Sequence, residues 1–495
     1  MAAAIKTPGV YVREINAFPN SVVEVPTAVP AFIGYTGKAP VPNVPTRISS
    51  LTEYISIFGT APKTKFKYQK GQPVAPAPAT RFLLYSSMRL FFDNGGGPCW
   101  IVSIGTSTPD TQKDAKHFVD ALTALEKIQE PTIVVAPDAV LLDRPGWQGV
   151  SQQMLAHCNK MQSRVSILDV YEGTTVRTNT DATDVITLFR NGITDFLNYG
   201  QAYYPWVNTS ITEDSEIDFS FLDDTLKDLK TGLDEEVTAA FPDANDPKGK
   251  AQKDLNNALT APPATAPPKP GDPPVPTPTQ IHRSLVAVSP LYRSVMDQIK
   301  DQLNVLPPSA GMAGVYTRID NTLGVFKAPA NTGMFSVISP CVDITGEEQD
   351  DLNAPLNGKA VNAIRTFVGR GVLIWGARTL DGNSQDWRYI NVRRTIIMLE
   401  QSIKNAALAY VFEANSASTW VTVRNMIANF LTNQWKAGAL VGAKPEEAFS
   451  VDVGLGSTMT ADDILNGFMN VTVKVALVRP AEFIVITFQQ KMQTS

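Results

Sequence analysis

The chain has 495 residues, 43% of them hydrophobic and 18% charged, with 43 basic against 48 acidic side chains and a formal net charge of −5. This balance is that of a folded chain of two to four modules at ~150 residues each, and it excludes a disordered polyelectrolyte and the concentrated basic footprint of a nucleic-acid binder. No run of ~18 uninterrupted apolar residues occurs, so direct membrane insertion is not expected. The start MAAAIKTPGVYV carries neither the basic nor the apolar stretch of a secretory signal, which predicts synthesis and assembly in the cytoplasm.

Residues 1–30 read as an extended arm. Pro8 and Gly9 precede the β-branched and aromatic run around Val10, Tyr11, Val12, Arg13, Glu14 and Ile15, and Pro19, Pro26 and Pro30 forbid a long helix after it. From 31 to 94 short apolar strands mix with helices: AFIGYTG, then a helix through RFLLYSSMRLFFDNGG that Gly95, Gly96 and Gly97 end. Phe118, Leu122, Leu125 and Ile128 then recur at spacings of three and four, an amphipathic helix. TIVVAPDA and RVSILDVY are continuous apolar runs that suit central strands buried on both faces. Helix and strand alternate, which predicts an α/β layered sheet over roughly 95–210, in a domain taken to run over 95–357.

Residues 208–280 interrupt this pattern, first with the acidic SITEDSEIDFSFLDDTLKDLKTGLDEE, then with APPATAPPKPGDPPVPTPT, a polyproline-like surface loop or spacer. Glu213–Asp224 and the string Glu347, Glu348, Asp350 and Asp351 lack the alternating ligands of a calcium loop and read as solvated surface. In 386–412 apolar residues recur at helical spacing, Thr419 is placed to cap a further helix that Gly438 stops, and Thr460 with Asp463 resembles a capping box. NVTVKVALV and EFIVITFQQ are strand runs flanking Arg479-Pro480, the second spanning 482–490.

No catalytic or cofactor constellation emerges. Cys99, Cys158 and Cys341 form no CxxC pair and read as reduced core thiols, and His117, His157 and His282 lie too far apart for a metal cluster. No GxSxG elbow, GxxxxGK loop or full GxGxxG occurs. The chain is therefore read as a non-enzymatic, self-assembling structural protein without metal or cofactor, whose strand-like ends expose backbone groups that another chain can pair.

The residues in fact resemble a family, the contractile tail sheath proteins of phages and of phage-tail-like injection systems and bacteriocins. TPGVYVREI is similar to the family's N-terminal arm, PTIVVAPDA and RVSILDV to strands of its α/β domain, and YGQAYYPWV to its aromatic strand. PPSAGMAGVYTRID, GVFKAPAN, WGARTL, WRYINVRRTIIMLEQSI, VFEAN, Trp420, the stretch from Trp435 to Gly438, and PAEFIVITFQQ follow in the family's order. The 208–280 insertion departs from it.

The resemblance implies an α/β and α+β multidomain fold, with a subtilisin-like α/β sheath domain that lacks a working triad and a C-terminal α+β module, 358–495, completed by strand exchange between subunits. The exchanged strands would be Val10–Ile15 and Phe483, Ile484, Val485, Ile486, Thr487 and Phe488. The function implied is that of stacked hexameric rings, polymerised helically around an inner tube protein, whose contraction drives the tube through a target cell envelope. Baseplate and terminator or cap proteins are further implied partners, and Lys436, Asp462 and Asp463 are candidate tube contacts. A non-contractile self-assembling scaffold and a subtilisin-like hydrolase are the alternatives.

Overall fold

The computed structural model describes residues 21–39, 41–178, 180, 182–222, 226–260 and 277–486. The chain divides into two compact units. The larger comprises Pro26–Arg394 with the described residues from Pro480 onward, the smaller Thr395–Arg479 with the described residues up to Val25.

The larger unit is built on an eight-stranded sheet. Its strands are β1 (Pro30–Thr36), β2 (Thr46–Ile48), β3 (Cys99–Thr106), β4 (Ile133–Val135), β5 (Val165–Asp169), β6 (Gly200–Tyr204), β7 (Asn362–Phe367) and β8 (Gly371–Trp375). The order across the sheet is 8-7-6-5-4-1-3-2, parallel except for the antiparallel edge strands β2 and β8. Every residue of β1, β4, β5 and β6 is buried. Consecutive burial requires cover on both faces, which is why these strands are written as unbroken apolar runs.

Two helix pairs supply cover. Ala115–Leu125 packs with Arg144–Met161, and Leu84–Asp93 with Ser309–Leu323. The second crossing is unusually close: a Cβ at Gly314 would stand 2.5 Å from the Phe91 carbonyl oxygen, which explains the small residues of Ser309-Ala-Gly-Met-Ala-Gly. The first helix ends at Asp93, and Gly95, at φ +95°, turns the chain toward β3.

Strands on both sides of the expected 94/95 division share this one sheet, and so do β7 and β8, which were expected in the C-terminal module beginning at 358. Asn362 and Ala363 pair in parallel with Tyr203 and Tyr204 of β6, so the chain divides later, between Arg394 and Thr395 inside the helix Ile390–Ala407.

Glu213–Glu216 are exposed, and beyond them the acidic insertion folds into helices. Leu226–Ala240 and Pro247–Thr260 are helices, followed by Pro278–Val288 and Pro290–Leu303, and Leu229, Leu233, Leu259, Leu285, Tyr292 and Ile299 form a core with Phe66, Tyr68 and Val74. Most of the proline-dense stretch, 261–276, lies outside the described residues.

In the smaller unit, helix Ala417–Lys436 buries Val423, Met426, Ile427, Phe430 and Leu431 against the first strand of an antiparallel pair, Phe449–Val453 with Val471–Val475. Ser416, not Thr419, stands at the helix N-cap.

Candidate assembly site

The two-stranded sheet of the smaller unit is the first component. Phe449 pairs with Val475, Val451 with Val473 and Val453 with Val471, and among the described residues neither strand has a partner strand on its other side. Val451 is buried, while Thr472 and Lys474 project into solvent. A sheet of two strands is marginal alone and offers two edges for addition.

The C-terminal segment is the second. Phe483, Ile484, Val485 and Ile486 are 75, 80, 88 and 70% exposed and belong to no strand. A run of that composition suits a sheet, and no sheet among the described residues takes it up. Immediately before it, Glu482 is held in the larger unit: Arg378 Nε donates to Oε1 at 3.0 Å, Nη2 to Oε2 at 2.5 Å, and the Tyr389 hydroxyl to Oε2 at 3.4 Å.

The root of the N-terminal arm is tied down as well. In the smaller unit, Gln434 Nε2 donates to Glu24 at 2.9 Å and the Val25 amide to Ser402 Oγ at 3.0 Å. In the larger, the Thr27 hydroxyl donates to Asp320 Oδ2 at 2.6 Å, and Arg394 bonds both the Thr27 carbonyl and Asp320. Val10–Ile15, like Thr487 and Phe488, lie outside the described residues. The sequence missed these anchors, because Glu482 and Arg378, or Glu24 and Gln434, are ordinary charged or polar letters until folding brings them together.

Of the residues expected at a tube surface, Lys436 is the exposed last residue of Ala417–Lys436, and Asp462 is exposed in the short helix Ala461–Leu465. Asp463, partly exposed, caps that helix, its carboxylate accepting from the Thr460 amide and hydroxyl at 2.8 Å each, and the Thr460 amide holds it below the usual carboxylate range.

The larger unit holds two buried carboxylates at strand ends. Asp169, ending β5, accepts from the Ser309 hydroxyl at 2.5 Å and the Ser309 amide at 2.9 Å, and burial pushes its pKa up to about 7. Ser309 opens a helix, as a serine nucleophile would, yet it is fully buried and its hydroxyl proton points at the carboxylate. The three histidines are bonded elsewhere, His117 to the Tyr35 hydroxyl, His157 to Arg164 and His282 to the Tyr292 hydroxyl.

Asp138 follows β4 at the point where the strand order reverses, the crevice in which doubly wound sheets take ligands. Here the carboxylate itself fills it, accepting from the amides of Tyr35, Leu83 and Leu84 at 2.8, 2.6 and 3.2 Å, and burial raises its pKa to about 6. No helix among the described residues is long and apolar enough to cross a membrane, and no group of three His, Cys, Asp or Glu is disposed to hold a metal.

The fold is thus a mixed α/β one of two units, with an exposed apolar run at Phe483–Ile486 and a switch-point crevice filled by the Asp138 carboxylate. Residues 383–491 match the phage tail sheath C-terminal domain. The tail sheath proteins of Salmonella phage ViI and Enterobacteria phage T4 are 28% identical over 172 residues and 26% over 163, or 34% and 32% of this chain. Those matches span about a quarter of the curated relatives' own length, 27% and 24%.

Over nearly the whole chain the fold is that of solved sheath chains. In the contracted helical sheath of the anti-feeding prophage, a chain 29% identical has a TM-score of 0.61, covering 99% of this chain and 100% of that one. In the contracted sheath complex of the extracellular contractile injection system PVC, the values are 25% and 0.62, covering 99% of each. The chain is thus similar to contractile sheath proteins from end to end, as the sequence motifs imply.

Proposed function

We propose that this chain is the structural subunit of a contractile sheath. Copies form six-membered rings that stack helically around an inner tube, and contraction of the stack drives the tube through a target cell envelope. Baseplate and cap proteins close its ends, and the assembly is part of a phage tail or tail-like particle rather than a membrane-inserted or enzymatic device.

The observation that carries this reading is the likeness to a contracted helical sheath chain over 99% of the residues. In our reading the arm strand Val10–Ile15 and the tail strand Phe483–Phe488 add to the two open edges of the Phe449–Val453/Val471–Val475 sheet in neighbouring copies. Main-chain hydrogen bonds of this kind persist while subunits rotate, and a head-to-tail link of strands propagates as a helix rather than closing as a dimer.

The parallel sheet, with Asp169 ending a strand and Ser309 opening a helix, supports a subtilisin-like architecture for the larger unit, stripped of chemistry by burial. Lys436, Asp462 and Asp463 remain the proposed tube contacts. Deleting residues 1–16 is expected to leave a folded monomer that forms no long sheaths in electron micrographs. Long, regular sheaths from that truncation contradict strand exchange by the arm.

A further inference from the structure

We propose that Arg378 and Glu482 form a clamp that fixes the root and the register of the exchanged C-terminal strand, so that tension on that strand passes into the large sheet. This rests on the strand-exchange reading above. The evidence is local geometry. Arg378 is 5% exposed and is immobilised before it meets Glu482. Its backbone amide donates to Asn362 Oδ1 and its carbonyl accepts from Asn362 Nδ2, both at 2.8 Å, while Nη1 donates to the Asn353 carbonyl at 3.0 Å. Asn362 is itself the first residue of β7, so the Arg378 backbone is bolted to the sheet by a single side chain, while the Asn353 carbonyl holds one edge of the guanidinium.

The remaining edge of the fork meets the Glu482 carboxylate in the two-bond geometry that arginine forms and lysine cannot. The Glu482 side chain is 14% exposed, and the next residue is 75% exposed. Held chain therefore becomes free chain within one residue, at the first residue of the strand run.

That position has two mechanical consequences. A strand pulled from an unfixed root peels one hydrogen bond at a time, whereas a fixed root loads its bonds together. Strand faces alternate with every residue, so pinning Glu482 decides which of Phe483–Phe488 face the neighbour's helix, and a slip of one residue inverts them all. An apolar plug would bury the same area without fixing register; a bidentate ion pair is directional.

The test uses the full-length chain, E482Q, R378K and a chain truncated after Glu482, each assembled into sheaths, diluted and counted by electron microscopy, with the monomers melted in parallel. The clamp predicts that E482Q and R378K monomers melt within about 3 °C of the parent, while the sheath surviving dilution falls on the order of tenfold. Sheaths of E482Q that persist like the parent's overturn it, as does an E482Q monomer melting more than about 5 °C lower, since the pair would then be holding the core. If the truncated chain also assembles normally, the tail's strand exchange is what fails; if truncation abolishes assembly and E482Q changes nothing, the clamp alone fails.

Discussion

At the scale of single residues, the two buried carboxylates make opposite predictions although both carry raised pKa values. Asp138 uses two oxygens to receive three backbone amides. In D138N one of those amides faces an NH2 group, and the expected loss is about 2–3 kcal/mol, read by urea denaturation. Asp169 faces only Ser309, and an asparagine can accept from the Ser309 amide while donating to its hydroxyl. A carboxyl whose folded pKa is raised stabilises fully below its unfolded value, near 4, and that contribution is lost as pH rises through about 7 for Asp169. Stability of the parent should therefore fall between pH 4 and 7 from this source, and D169N should flatten the fall and match or exceed the parent at pH 8. A D169N variant that is less stable than the parent at pH 8 contradicts the assignment of burial as the cause.

Elements divide by where their information lies. TIVVAPDA and RVSILDVY are legible as β4 and β5 because burial on both faces writes an unbroken apolar run, and the helix around Phe118 because one face writes a period of 3.6. The insertion helices were hidden by composition: Leu226, Leu229, Leu233 and Val237 keep helical spacing within the acidic stretch, a signal that a window on periodicity rather than charge picks up. Leu233 is fully buried among Leu229, Leu259 and Leu285. L233A should cost about 2–5 kcal/mol and expose the insertion to protease while the large sheet stays protected; uniform cleavage of both would show that the insertion has no core of its own. The pairing of β7 with β6 was illegible for a different reason. Local pattern identifies a strand but not its neighbour, and Tyr203 and Asn362 are far apart in sequence. The candidate site was legible to the same extent: Phe483–Ile486 reads as a strand because of its residue types, whereas the anchors Arg378, Gln434 and Arg394 exist only through tertiary contacts.

For the whole molecule, an exposed apolar strand run at one end and a sheet of two strands with open edges are complementary features of a single chain. Neither is satisfied within the described fold, and each has the composition to satisfy the other in a second copy. In the proposed sheath, polymerisation would follow from these unsatisfied backbone groups, and contraction would require that the links survive rotation of the subunits. The central claim is tested most directly by a cryo-EM reconstruction of the assembled full-length chain. The account predicts a helical stack of six-membered rings in which Phe449–Val453 and Val471–Val475 are flanked by strands from other copies, one of them Phe483–Phe488. A closed oligomer, or a stack in which both edges of that sheet stay empty or are taken by the chain's own tail, would contradict it.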